Sequence, residues 1–299
     1  MRRPTGGDFW ALVLAGEDVR GRRSARPLPG RVGAGAAPAP AASALAATLR
    51  RVVPLAGAAR TAVALPVGDV PRGCGELLSI PARNVFRQPR ASRAVALCSA
   101  LLRVYALDAG ARVATFAGEH EVENDETFRA YVRTARWIVK RHPDAVVMMG
   151  SRPRRPAPGC CYVEPGPRAP RCAFAPAFTV RGFHQPCDAE AARYLVARGV
   201  LCASSVLVAR VERLLELLEA AGSAEIERRA YFVRRPKLHG VVLREVLRSG
   251  VERTLLTQAR EHAVVLRADG LERRGPGARD VAASARPQDR SWHLPRATA

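Results

Sequence analysis

The chain has 299 residues, 48% of them hydrophobic, with a mean hydropathy of -0.08, and it carries 48 Lys plus Arg against 27 Asp plus Glu. That apolar share excludes a mostly disordered chain, no apolar run approaches the ~20 residues that cross a bilayer, and the N-terminus lacks a secretory layout. All but Lys140 and Lys237 of the 48 cations are arginines, scattered without a recognition-helix or zinc-finger pattern. The charge of +21 attracts any polyanion at low salt, but nothing in its spacing marks dedicated nucleic-acid binding.

In chain order, Phe9 to Leu14 is a continuous apolar run, the pattern of a strand buried on both faces. Residues 17–40 are rich in Gly, Arg and Pro and read as a long loop. A helix is predicted from about Ser43, as its N-cap, to Val53, and a strand from Thr61 to Leu65, closed by Pro66. Leu97, Leu101, Val104 and Tyr105 form a helical stripe within 94–107, and Arg112 to Phe116 reads as strand. Asn124 is placed to cap a helix that faces inward through Phe128, Val132, Ala135 and Val139 and stops before Pro143. Val146 to Met149 is another buried strand.

Beyond a Pro-, Arg- and Cys-rich stretch at 150–172, Phe178 to Phe183 is predicted as an edge strand. Asp188 caps a helix ended by Gly199, and Leu201 to Val208 is a strand. Val208, Val211, Leu214, Leu215 and Leu218 outline a helix stopping at Gly222, followed by a helix near 238–247 and strands at 254–257 and 263–266. The alternation predicts an α/β fold, a Rossmann-like, mostly parallel (mixed) sheet with helices on both faces. Residues 1–286 are expected to form one domain, and 287–299 a flexible tail. The seven cysteines have no metal or redox spacing, so they are expected as free thiols in a cytoplasmic protein.

In an open parallel sheet, ligands bind beyond the carboxyl ends of the strands. After the first strand, Ala15 and Gly16 lead into Glu17-Asp18-Val19-Arg20-Gly21-Arg22-Arg23. This is either a phosphate cradle with guanidinium groups to neutralise the anion, or a basic surface loop. Glu119, after the strand ending at Phe116, stands where one carboxylate can hold Mg²⁺ beside a triphosphate; the alternative is that it faces solvent.

Read in order, these segments resemble the sugar-phosphate nucleotidyltransferases, most closely the mannose-1-phosphate guanylyltransferases. Leu14-Ala15-Gly16 stands at the LAGG-type turn, and Arg87-Gln88-Pro89-Arg90-Ala91-Ser92-Arg93-Ala94 at QPANRGTA. Phe116-Ala117-Gly118-Glu119-His120 is similar to FPSDH, with Asn124-Asp125-Glu126-Thr127-Phe128 at the following helix start. The stretch from Pro156 to Gly166 resembles PETGYGYIEPG, Phe183-His184-Gln185-Pro186 stands at FVEKP, and Leu201-Cys202-Ala203-Ser204-Ser205 at LWNS. Gly270-Leu271-Glu272-Arg273-Arg274-Gly275 falls at GWSDWG.

The resemblance implies a nucleotide-diphospho-sugar transferase fold, with Ala15, Gly16, Arg20 and Gln88 at the nucleotide. It further implies Glu119 as holder of Mg²⁺, and Gly159, His184 and Ser204 at the sugar. The implied ligands are GTP or a GDP-sugar with a sugar 1-phosphate, and the implied partners a second copy of the chain or an active homologue. The departures are as informative. No lysine precedes Lys140, Ala91 and Ser92 replace Asn and Arg, and Arg273 replaces the second metal-holding Asp. The motifs are eroded, which leaves a nucleotidyltransferase, a non-catalytic nucleotide or nucleotide-sugar binder, and a basic polyanion-binding protein as the three readings.

Overall fold

The computed structural model describes residues 8–15, 40–66, 74–88, 93–118, 122–158, 160–217, 259 and 262–270. Of the predicted loop 17–40 only Pro40 is described, and it begins a helix; the rest of that loop, the end of the predicted helix at 218–222, the elements at 238–247 and 254–257 and the tail lie outside the described residues. The strands are β1 (Phe9–Leu14), β2 (Thr61–Pro66), β3 (Val85–Gln88), β4 (Arg112–Ala117), β5 (Val146–Ser151), β6 (Tyr162–Arg168), β7 (Ala177–His184), β8 (Leu201–Arg210) and β9 (Ala263–Arg267). The helices are α1 (Pro40–Ala56), α2 (Arg93–Leu107), α3 (Asp125–Arg141) and α4 (Ala189–Ala197), and residues 211–217 are also helical.

The strands make one mixed sheet in the order β3-β2-β1-β4-β8-β5-β9-β7-β6. β3, β2, β1 and β4 run parallel, as do β5 and β9, while β8 lies antiparallel between β4 and β5. The start of β6 returns to β8, pairing Tyr162 with Cys202, so the far half of the sheet curls back on itself.

Every residue of β1 is buried, because the strand has helices on both sides. Its alternate residues Phe9, Ala11 and Val13 pack with Leu45, Leu49 and Val52 of α1 and with Phe128, Val132 and Ala135 of α3. Trp10, Leu12 and Leu14 face Leu97, Leu101 and Val104 of α2 and the helical residues Val211 and Leu214. Period-two alternation thus divides the core into two layers, one on each face of the sheet.

α3 forms as its sequence dictates. The Asn124 side chain accepts a hydrogen bond from the Thr127 N–H at 2.9 Å, acids fill the first turn and Lys140 and Arg141 the last. Its inward residues Phe128, Val132, Ala135 and Val139 are buried as predicted, joined by Ile138. Asp188 caps α4 by accepting from Ala191 N–H at 2.7 Å, and Gly199 supplies the positive φ of 77° that ends it.

Several expectations are corrected. α1 starts at Pro40, so Ser43 lies inside the helix rather than capping it; proline is tolerated in a first turn, where its missing N–H has no partner to lose. Tyr105 is 41% exposed, outside the buried stripe of α2. β3 and β6 form where the sequence reading places no strand, β6 in spite of the interruption by Pro165, Gly166 and Pro167. It survives through irregular pairing with β7, whose register shifts on either side of Pro165. β7 is not an edge strand but lies between β9 and β6, and Val208 belongs to β8 rather than to the following helix. None of the seven cysteines is joined in a disulfide, and Cys187 is exposed. No described helix is long and apolar enough to cross a membrane.

Candidate functional site

The register brings the carboxyl ends of the parallel strands to one edge. One row of partners runs Leu12, Thr115, Leu207, Met148, Val265 across β1, β4, β8, β5 and β9. Leu14, Ala117, Gly150 and Arg267, each two residues further along, therefore finish side by side. On the other flank Leu14 pairs with Ala64 and Ala64 with Phe86, which puts Gln88, the last residue of β3, at the same edge.

Within this edge the chain reverses direction between β1 and β4. α1 leads from β1 outward to β2 over one face, and α2 returns over the other face to β4. Such a switch point leaves a crevice where the two outgoing turns part. Here the turns touch before they part. The N–H of Gly118 donates to Leu14 C=O at 2.9 Å, and a Cβ at position 118 would lie 3.0 Å from Ala15 Cα and 3.2 Å from Ala15 Cβ. Only glycine allows this approach without displacing backbone. Thr48 of α1, fully buried, donates its hydroxyl to Gly118 C=O at 3.0 Å and fixes the β4 turn.

Ala15 is thus at the point where the two turns meet. Gly16 and Glu119 are the next residues in the chain after the touching pair, but they, Arg20, Gly159 and Arg273 lie outside the described residues, as does the side chain of Gln88.

A second cluster surrounds the start of β8. Between the pairing of β8 with β6 at Cys202 and with β4 at Leu207, two extra residues enter β8 relative to β5, whose partners step from Met148–Leu207 to Gly150–Ala203. Ser204 sits in this bulge, its Oγ accepting from Val206 N–H at 3.3 Å. The buried Thr115 of β4 holds the bulge: its Oγ1 donates to Ser205 C=O at 3.3 Å and accepts from Leu207 N–H at 3.2 Å. Thr115→Val keeps the shape but strands the Leu207 N–H, so urea denaturation should show a loss of about 1–3 kcal/mol. An unchanged stability would mean that the bulge is held by other contacts.

His184 belongs to the row Ser151, Cys202, Tyr162, His184, two strands from β8 and on the order of 10 Å from Ser204. Its Nε2 lies 3.0 Å from Glu164 Oε2, and the other oxygen of Glu164 is 3.5 Å from the guanidinium of Arg198 at the end of α4. Tyr162, buried below, accepts from the Ala157 N–H at 2.8 Å and donates to Ala157 C=O at 3.2 Å, which ties the segment preceding Gly159 to β6. Burial pushes the Tyr162 phenol above its ordinary value, so it stays protonated and keeps donating.

The exit of β9 follows that of β5. Ala268 N–H donates to Gly150 C=O at 2.9 Å, and Asp269 accepts from Arg152 N–H at 3.4 Å. Glu164 and Tyr162 lie in the stretch from Pro156 to Gly166, where the sequence marks only Gly159, and no motif marks Thr48, Thr115 or Asp269. A polar residue inside an apolar helical stripe or strand, such as Thr48 or Thr115, was the available signal.

The donor set for Mg²⁺ is thin. Among the described residues no group of three His, Cys, Asp or Glu can hold a metal. One carboxylate, Glu119, follows Gly118 in the chain, and Mg²⁺ accepts one or two carboxylates when phosphate oxygens complete its shell. The residues fit the ion only together with a bound triphosphate.

This mixed sheet with its β1/β4 crevice is an α/β fold with helices on both faces, and solved structures share it. The chain is similar to a crystal structure of mannose-1-phosphate geranyltransferase from Thermus thermophilus, with 19% identity, 88% of this chain and 74% of that chain covered, and a TM-score of 0.58. It is also similar to mannose-6-phosphate isomerase from Helicobacter pylori, with 12% identity, 76% and 80% covered, and a TM-score of 0.52. At these identities the likeness defines the fold alone. No family model and no curated protein matches the sequence.

Proposed function

We propose that the chain is a sugar-1-phosphate nucleotidyltransferase of guanylyltransferase type whose catalytic charges are partly eroded. The observation that carries this reading is the contact of Ala15 with Gly118 at the reversal between β1 and β4, on the edge that also receives Gln88 and Ser204. In the reaction a phosphate oxygen of the sugar 1-phosphate attacks the α-phosphorus of the nucleoside triphosphate in line, and pyrophosphate leaves with the electron pair of the broken P–O bond. Gly16 and Arg20 bind the triphosphate, Gln88 the base, and Gly159, His184 and Ser204 the sugar. Glu119 would hold Mg²⁺, which offsets charge on the phosphates when bound. Glu164, by engaging His184 Nε2, orients the imidazole at the sugar end.

The family's second metal-holding carboxylate is Arg273 here, so transfer is expected to be slow. A cytoplasmic location, where the seven thiols stay reduced, and assembly with a second copy or an active homologue go with this reading. The test is radiolabelled-pyrophosphate exchange with GDP-mannose and UDP-glucose, alongside calorimetry with GTP. Exchange supports the transferase. Saturable GTP or GDP-mannose binding without exchange replaces it with a non-catalytic nucleotide-sugar binder, and no binding of either overturns both.

A further inference from the structure

The opposite edge of the sheet carries an unassigned concentration of charge. Arg112, the first residue of β4, is the register partner of Phe9 on β1 and of Arg210 on β8. Like charges placed directly across a ladder repel. Arg210 is relieved by Glu212 at 3.0 Å, and Arg60 by Asp8 at 2.6 Å. Arg112 and Arg136 are paired with no carboxylate among the described residues, and the Nε of Arg112 is buried without a hydrogen-bond partner. The Arg136 guanidinium lies 4.8 Å from the centroid of the Phe9 ring. Burial pushes Arg136 below its ordinary value, Arg112 and Arg60 push it further, and only Asp8 opposes them.

Beside these groups is a cavity of about 220 Å³ between α1 and α3, lined by Phe9, Pro54, Leu55, Val132, Arg133 and Arg136. Arg133 is exposed and paired with Glu126. The cavity therefore has an apolar wall on one side and the under-compensated Arg136 on the other, with the charge of Arg112 acting on Arg136 from outside the lining.

We propose that this amino-terminal edge is a second ligand site, one that takes a small organic phosphate with its phosphate on Arg136, reinforced by the charge of Arg112 behind it, and its carbon body on Pro54, Leu55 and Val132. Arg136 and Arg112 together, opposed by Asp8 alone, favour a dianion. A phosphate monoester carries about −1.5 to −2 at pH 7, whereas a carboxylate carries one charge and leaves a cation unmatched. The cavity volume suits a phosphate with a few carbons, well short of a nucleotide. The site is independent of the carboxyl-edge crevice, since it lies at the other ends of β1 and β4.

The experiment is calorimetry on the full chain with phenyl phosphate and benzoate, at fixed salt, with and without saturating GTP. Saturable phenyl phosphate binding is expected, at least tenfold tighter than benzoate and unaffected by GTP. Arg136→Gln and Arg112→Gln should each weaken it tenfold or more, and Leu55→Trp, which fills the cavity, should abolish it. Arg103→Gln, the same charge loss at an exposed position of α2, should change it less than twofold. Circular dichroism identifies any variant that fails to fold, and the remaining variants then decide. Equal effects of Arg103→Gln and Arg136→Gln would reduce the binding to general attraction by a basic protein. Displacement by GTP, benzoate as tight as phenyl phosphate, or no saturable binding overturns the proposal.

Discussion

Glu119→Ala is expected to lower pyrophosphate exchange by about a hundredfold or more, the usual cost of removing one electrostatic partner of a developing charge. On the proposed reading Glu119, the residue directly after Gly118, holds the ion, and Arg273 stands where the family has its second carboxylate. On this reading the effect should fall on the exchange rate, with the unfolding free energy changed by less than about 0.5 kcal/mol. Calorimetry of GTP with and without Mg²⁺ then separates the two sources of positive charge. A steep dependence on Mg²⁺ assigns it to an ion at Glu119, and a flat one to the guanidinium of Arg273. Exchange that is unchanged in Glu119→Ala removes this residue from the site.

Phe128→Ala is expected to cost about 3–5 kcal/mol, the largest effect of any single truncation proposed for the core. Phe128 is 0% exposed, and its ring centroid lies 5.9 Å from that of Phe116 on β4. The guanidinium of the buried Arg51 lies over it at 5.6 Å while donating to Asp125 at 2.6 Å, so one side chain joins α1, α3 and the sheet. Truncation would open a cavity and loosen the first turn of α3, the turn that follows the β4 exit. Urea denaturation measures the loss; a value below about 1 kcal/mol would mean that α3 does not dock through this residue.

Much of the frame was legible in the sequence. The apolar runs at Phe9 to Leu14 and Val146 to Met149 have no polar face, and such runs have no stable place except inside a sheet covered on both sides. The caps Asn124 and Asp188 and the terminating Gly199 act within one turn of the helix they bound, so local chemistry suffices to find them. The position of Ala15 at the carboxyl edge also followed, because a parallel α/β order dictates which strand ends share an edge, whereas Gln88 ends a strand that the sequence reading did not place.

What the amino-acid sequence by itself determined, then, was most of the alternation of strands and helices, the ends of α3 and α4 and the residues that follow the apolar strands. The tertiary structure alone decided that β8 enters antiparallel between β4 and β5, and that the Pro-interrupted β6 pairs back onto β8. It also decided that Thr115 braces a bulge some 90 residues away and that Arg60, Arg112 and Arg136 meet. The physical reason is range: periodicity and capping are set by neighbours a few residues apart. Strand partners, glycine contacts such as Gly118 on Ala15, and clusters of like charge depend on which distant segments the packed core brings together.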